Sequence, residues 1–394
     1  MLIDIELELQ SCYEEMVRWR RHLHQNPELS FQEKQTAAFV AEHLRSWGIE
    51  VRTKVGGHGV VGFLQGGHPG PTVALRADMD ALPIQDEKTC AYTSQVPGVM
   101  HACGHDAHTA TLLGVAKSVS KLKSDLKGNL VFLFQHAEEV TPGGASSMIR
   151  SGALDGVDAV YGVHLWTPFP VGHIYCKAGP MMAAPDEFVI KIIGKGGHGG
   201  LPHQTVDSVV VGSHLVCNLQ TIVSRSVDPT EPCVVSVGSI QAGSGFNVIA
   251  ETCQLRGTVR TFNQELRLDV KNRLEHILTS TCTMFGAEYE LDYKLGYPPV
   301  VNHQSEAERF FQVGTELFGE ESVHHSPLIM AGEDFSYYLE QVPGCYMFVG
   351  AGNQNEGILH PHHHPKFDID ERSMLQASKL LLSMAINFMD APLK

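Results

Sequence analysis

The side chains able to do chemistry come in short groups. Asp78 and Asp80 follow the apolar run TVALRA, Glu138 and Glu139 follow NLVFLFQHA, and His164 closes AVYGV. Between the first two groups lies His101-Ala102-Cys103-Gly104-His105-Asp106, at the start of a helical stretch. Glycine between Cys103 and His105 lets the loop turn sharply, so a thiolate and an imidazole can face one point. A deprotonated thiol, two or three imidazoles and a carboxylate form a borderline-soft set suited to Zn2+ or another late divalent ion. A lone His or Cys on a loop is more often structural, and a Glu-Glu pair is usually a solvated helix start. Several such features gathered at strand ends outweigh that reading. The 22 histidines cluster in the same way, at 101, 105 and 108, at 136, 164, 198 and 203, and at 360 and 362–364.

The elements that must position these groups can be read from periodicity. The first forty-odd residues read as a helix pair or one broken helix, interrupted at Pro27, with Ser30 or Glu33 starting the next stretch. There Ala37, Val40, Ala41, Leu44 and Trp47 recur at helical spacing and Gly48 supplies the stop. Short strands are expected at Gly59–Leu64 and, after the turn signal GGHPGP, at Thr72–Arg76. Asn129–Gln135 is a continuous apolar run of the kind covered on both faces, and Ala159–His164 is another. Strands alternating with helices such as Thr109–Leu122 argue for a doubly wound α/β domain, which binds ligands beyond the carboxyl ends of its strands.

Near residue 184 the texture changes. Glu187–Ile193 alternates, a glycine-rich turn follows, and 205–225 is helical. Cys233–Ile240 and Thr252–Thr261 alternate, 263–284 is helical and Glu288–Lys294 is a last strand, an order of the ferredoxin-like α+β kind. After GYPP the α/β texture returns, with Glu306–Phe318 helical, Cys345–Val349 a strand and Glu371–Met389 helical. The architecture expected is a discontinuous α/β domain, 1–183 and 297–394, interrupted by a smaller α+β domain at 184–296.

Composition sets the outer bounds. The 394 residues exceed one ordinary core, which favours two domains. With 43% hydrophobic and 19% charged residues, the chain is of globular and not disordered type. No run of eighteen apolar residues is present, which excludes a spanning helix, and the acidic start MLIDIELELQ does not read as a signal peptide. A formal charge of −15 disfavours nucleic acid as a partner. Nine cysteines without a pairing pattern suit a reducing compartment, so the cytoplasm is the expected location.

At this point the segments carry a resemblance. LRADMDALP (75–83), HACGHD (101–106), HAEE (136–139), GVH (162–164), GKGGHGGLPH (194–203), AGEDFSYY (331–338) and HHPKFDIDE (363–371) resemble the M20 metallopeptidase clan. More narrowly they resemble its amidohydrolase branch, as does RRHLHQNPELSFQE (20–33). That branch holds N-acyl-amino-acid amidohydrolases, hippurate hydrolases, indole-acetyl-amino-acid hydrolases and acetyl-diaminopimelate deacetylases.

The resemblance implies a mixed-sheet, zinc-peptidase-like catalytic domain with an inserted ferredoxin-like lid or dimerisation domain. It implies two divalent ions per subunit, Zn, Mn, Co or Ni, held by Cys103, His105, Glu139, His164 and His363, with His362 the runner-up for the last place. Cys103 stands where the peptidase branches have a bridging Asp, and Asp78 replaces their metal-binding His. Asp80 is then expected to orient a ligand from behind. Glu138 is the expected general base and acid. His198 is the expected oxyanion partner, from a paired subunit or from its own after domain closure, and Asn247 and Arg260 are expected to bind the substrate.

The activity implied is hydrolysis of N-acyl-L-amino acids, a small-molecule substrate class, by a homodimer or homotetramer with no membrane partner. The alternatives are a dipeptidase or aminopeptidase of the same clan, an N-acetyl-diaminopimelate deacetylase, or a non-catalytic metal-binding scaffold.

Overall fold

The computed structural model describes residues 2–390, with side chains from Glu6 onward. The chain divides into two compact units. One runs through Met181 and takes up Val301–Pro327 and the chain from Asp334 on; the other is Met182–Val300 with Leu328–Glu333. The short return Leu328–Glu333 departs from the expectation that everything after residue 296 belongs with the first unit.

In the first unit, helix α1 (Leu2–Gln25) and helix α2 (Lys34–Ser46) precede strands β1 (Glu50–Val55), β2 (Gly59–Gln65) and β3 (His68–Asp78). Helix α3 (His105–Lys121), strand β4 (Lys127–Gln135), strand β5 (Ala159–Pro170) and strand β6 (Ile174–Cys176) follow. The eight-stranded sheet has the order β1-β2-β4-β3-β5, then Gly344–Gly352, β6 and Val323–His325. It is mixed. Strands β4, β3, β5 and Gly344–Gly352 run parallel, whereas β1, β2 and β4 pair antiparallel and so does β6 with Gly344–Gly352. The central strands are buried nearly throughout, β4 from Leu130 to Gln135 and Gly344–Gly352 at every position, which is why they read as unbroken apolar runs. Helices α1, α3 and Arg372–Asp390 supply Met16, Leu112, Leu113, Leu381 and Met384 to the same core as Leu75 and Phe132.

Two expectations need correction. The turn in GGHPGP is confined to Gly66 and Gly67, between β2 and β3, and β3 already begins at His68; the prolines fall where its register with β4 shifts, between His68 and Thr72, so they cost little pairing. Strand β5 does not stop at His164 but runs to Pro170. Strand β1, EVRTKV, is an addition: Val51, Thr53 and Val55 alternate with Glu50, Arg52 and Lys54, and that period of two is the signal that could have found it.

The second unit is a four-stranded antiparallel sheet in the order Cys233–Ala242, Thr252–Thr261, Ala184–Ile193, Glu288–Lys294. The helices Ser208–Thr221 and Gln264–Phe285 pack Leu215, Leu219, Leu274 and Leu278 onto Phe188, Ile190 and Leu255. Its strand order and βαββαβ sequence are those of the ferredoxin-like arrangement.

Candidate metal centre

Strands β3, β4 and β5 are mutually parallel, so their carboxyl ends share one rim. Asp78 pairs with Gln135, three and four residues before Glu138 and Glu139. Arg76 pairs with Gly162, which puts His164 level with Asp78, inside β5 and not at its end. Gly104 adopts φ +89°, a left-handed turn at the start of α3 that presents Cys103 and His105 to the same rim.

Cys103, His105 and Glu139 offer ligand atoms that all lie within 4.8 Å of one another. Nδ1 of His105 donates to Asp80, 2.9 Å from its carbonyl oxygen and 3.2 Å from Oδ1, which leaves Nε2 facing the centre. Asp80 is itself fixed by the Ser30 hydroxyl (2.6 Å) and the Glu139 N–H (3.0 Å). His105 Nε2 stands 3.8 Å from Glu139 Oε1 and 3.7 Å from Asp78 Oδ2, and neither His105 Nε2 nor Glu139 Oε1 makes a hydrogen bond among the described residues. Buried polar atoms without hydrogen bonds are costly, and a cation between the two and the thiol would satisfy both.

Cys103 Sγ is 3.5 Å from Nε2 of His164, whose Nδ1 is bonded to the Leu165 carbonyl at 3.0 Å. That bond places the proton on Nδ1 and the lone pair of Nε2 toward the sulfur. His363 has φ +64°, its N–H donates to the Ala102 carbonyl, and its Nε2 lies 3.4 Å from Glu139 Oε2. His362 turns the other way. Its atoms join the group of Cys103 and His164, its ring stacks on Trp166 at 4.2 Å, and Nε2 bonds the Leu165 carbonyl at 3.1 Å.

The electrostatics of the protein alone point to the same need. Burial, then the charges of Glu139, Glu138 and Asp78, push the Cys103 thiol well up. Burial opposes a charge on His105, yet Asp78, Asp80 and Glu139 raise it to about 10. Burial and the neighbouring His108 and His362 hold His164 well down. The donor set is thus soft, convergent and rich in negative charge, and it fits a divalent ion.

Asp78 is differently employed. Oδ2 takes Arg76 Nη1 at 2.6 Å and Oδ1 takes His108 Nδ1 at 2.7 Å, while His108 Nε2 accepts the Leu165 N–H at 2.9 Å. His108 therefore has both ring nitrogens engaged and braces the backbone beside His164. Sequence reading gave His108 no role. Its spacing of three from His105 on a helix is the signal that could have found it, since such residues share a face.

The remaining site expectations fall in the second unit. His198 pairs with Val248 in a short ribbon, and Asn247 is next to that residue, accepting the Gly199 N–H at 2.8 Å through its carbonyl. The Gly200 N–H donates to His198 Nδ1 at 2.9 Å, which leaves the proton of a neutral ring on Nε2. Arg260 lies elsewhere on the sheet, half-buried on Thr252–Thr261 in register with Pro185 and Val234.

Comparison with known proteins places this geometry. The model of peptidase family M20/M25/M40 matches residues 74–387. YhaA of Bacillus subtilis (strain 168), which carries an amidohydrolase name, is 50% identical over 385 residues, covering 98% of this chain and 97% of that protein. An N-acyl-L-amino acid amidohydrolase of Geobacillus stearothermophilus is 53% identical over 289 residues, 73% of this chain and 78% of that one. The crystal structure of the Bacillus subtilis YXEP protein, a dinuclear metal-binding peptidase of the M20 family, superposes with a TM-score of 0.83 at 32% identity, covering 97% of this chain and 99% of that one.

Proposed function

Because the chain belongs to peptidase family M20/M25/M40, we propose that it hydrolyses the amide bond of N-acyl-L-amino acids, releasing a carboxylic acid and a free amino acid. The observation that carries this is the convergence of Cys103, His105 and Glu139, whose ligand atoms lie within 4.8 Å of one another, His105 Nε2 and Glu139 Oε1 making no hydrogen bond among the described residues. The relatives named above supply the substrate class, one being an N-acyl-L-amino acid amidohydrolase. A deacetylase of N-acetyl-L-cysteine from Bacillus subtilis (strain 168), 40% identical over 390 residues, points the same way.

Cys103, His105, Glu139, His164 and His363 are the residues proposed to hold two divalent ions, with Zn2+, Mn2+, Co2+ and Ni2+ the candidates. When bound, such a pair polarises the acyl carbonyl and makes water acidic enough to attack near neutral pH. The chain supplies the rest. Glu138 is buried close enough to Cys103 to raise its thiol, and it carries the proton. As the water oxygen bonds to the acyl carbon, Glu138 takes the water proton; as the C–N bond breaks, it returns that proton to nitrogen. Asp80 keeps His105 in one tautomer. His198, whose Nδ1 accepts the Gly200 N–H, is proposed to bind the oxyanion; Asn247 beside it and Arg260, at the other end of Thr252–Thr261, are each proposed to contact the substrate, Arg260 at its carboxylate. A homodimer in the cytoplasm completes the reading. Among the described residues no helix is long and apolar enough to cross a membrane.

The test is a hydrolysis screen after chelation, with each of the four ions restored separately. N-acetyl- and N-benzoyl-amino acids are expected to be cleaved in preference to unblocked dipeptides, and the reverse order would replace this reading by a dipeptidase. Glu138→Ala is expected to keep both ions and lose at least ~100-fold in kcat, the scale of a missing general base. Turnover within about tenfold of the parent would remove Glu138 from that role.

A further inference from the structure

Two residues flanking the catalytic carboxylates have an unusual backbone. Ala137 has φ +52° and Phe31 has φ +66°, the left-handed region that side chains other than glycine rarely adopt. One atom satisfies both. Oε1 of Glu33 accepts the Ala137 N–H at 2.8 Å and the Phe31 N–H at 3.0 Å. Glu33 is fully buried, and its Oε2 has no partner.

A helix-capping role does not explain this carboxyl. Glu33 stands at the N-terminal cap of α2, but its side chain makes no cap bond there. The free N–H groups of that helix are taken instead by Glu28, which accepts from Gln35 (2.9 Å) and Thr36 (2.8 Å). The segment Ser30–Glu33 grips the two backbone N–H groups that bracket Glu138. Glu33 holds Ala137, and Ser30 holds Asp80, which holds the Glu139 N–H. Phe31 adds an edge-on ring contact to His136 at 6.0 Å.

We propose that Glu33 is a positioning residue for Glu138 and Glu139, its single carboxyl oxygen locking Ala137 in the left-handed conformation that turns both carboxylates toward the metal centre. Left-handed backbone at a non-glycine residue is unfavourable and persists only where surrounding contacts enforce it. Burial and the nearby Asp80 charge push the Glu33 carboxyl up to about 7, against the backbone N–H groups of Glu33, Ala137 and Phe31. This inference rests on the reading that Glu138 and Glu139 work at the metal centre.

The experiment compares Glu33→Gln, Glu33→Asp, Glu33→Ala and the double variant Glu33→Ala/Ala137→Gly. The first readout is Co2+ affinity, followed by the thiolate-to-cobalt absorption band; the second is kcat and KM on N-acetyl-methionine. Glu33→Gln retains the acceptor and is expected within ~3-fold of the parent in both. Glu33→Ala is expected to lose ~10–100-fold in Co2+ affinity, as for other groups that orient ligands, and to lower kcat with KM little changed. Glu33→Asp, which folds more safely but falls short of the Ala137 N–H, should follow Glu33→Ala. Glycine adopts φ +52° without help, so Ala137→Gly should restore most of the loss.

Parent-like cobalt binding and kcat in both Glu33→Asp and Glu33→Ala would overturn the proposal. So would a loss that Ala137→Gly leaves unrepaired. If the metal-loaded parent cleaves no acyl-amino acid, the proposed function fails, and the cobalt titrations still decide the role of Glu33.

Discussion

At the scale of single residues, the sharpest question is how two adjacent histidines divide their work. The left-handed backbone at His363 sends it and His362 in different directions, one to Glu139 and the other to Cys103 and His164. His362 is packed on Trp166 and bonded to the Leu165 carbonyl, and burial pushes its imidazole down to about 3, as expected of a neutral structural ring. His363 stays half-exposed, and its bond to Glu139 raises it. His363→Ala is therefore expected to weaken one of two bound ions by ~10–100-fold and to abolish turnover. His362→Ala should keep a stoichiometry of two and lose mainly thermal stability, from the lost stacking. Metal analysis after equilibrium dialysis checks both, and a single ion in His362→Ala would exchange the two roles.

At the scale of elements, what was legible in the sequence is what depends on period. All four strands of the second unit's sheet show in alternation, and β4 in an unbroken apolar run, because burial of one face or both imposes those patterns directly. The candidate ligands were visible by type, since Cys, His and Glu in short groups beside apolar runs are an unusual grouping. Their supports, Asp80 apart, were not. Arg76, His108 and Glu33 reach Asp334, Leu165 and Ala137, partners 258, 57 and 104 residues away, and nothing local encodes such pairings. Arg20 on α1 is a further case. It is buried against Asp106 of α3 (2.9 Å), Asp368 (2.7 Å) and Glu371 (3.2 Å), tying two helices to the chain beyond the His-rich loop. Arg20→Met leaves Asp106 buried with only His24 Nδ1 (2.7 Å) paired to it among the described residues, so a loss of ~3 kcal/mol is expected at pH 7. Burial alone would raise Asp106 and Asp368, but Arg20 above all holds both below the ordinary range. Folded values below the unfolded ones confer stability that is present above about pH 4 and lost as the pH falls. The gap between parent and Arg20→Met in urea midpoint should accordingly narrow toward pH 4 and below. A gap independent of pH would show that packing, and not charge, is what Arg20 provides.

At the scale of the whole molecule, each of the two units carries a hydrophobic core of its own. One is built on the eight-stranded sheet and the other on the four-stranded sheet and its two helices. Every proposed metal ligand, from Cys103 to His363, belongs to the first unit. A ligand that binds only folded protein stabilises it by mass action, about 2.7 kcal/mol per site at a hundred times Kd, and that free energy goes to the unit that forms the site. Calorimetry of the metal-loaded and chelated protein is therefore expected to resolve two transitions, of which metal raises only one. Hydrogen exchange should assign the shifted one to β3, β4 and α3, with the amides of Ala184–Ile193 and Thr252–Thr261 protected equally in both states. If both transitions moved together, the two cores would unfold as one cooperative block, and the metal centre would govern the stability of the second unit as well as its own.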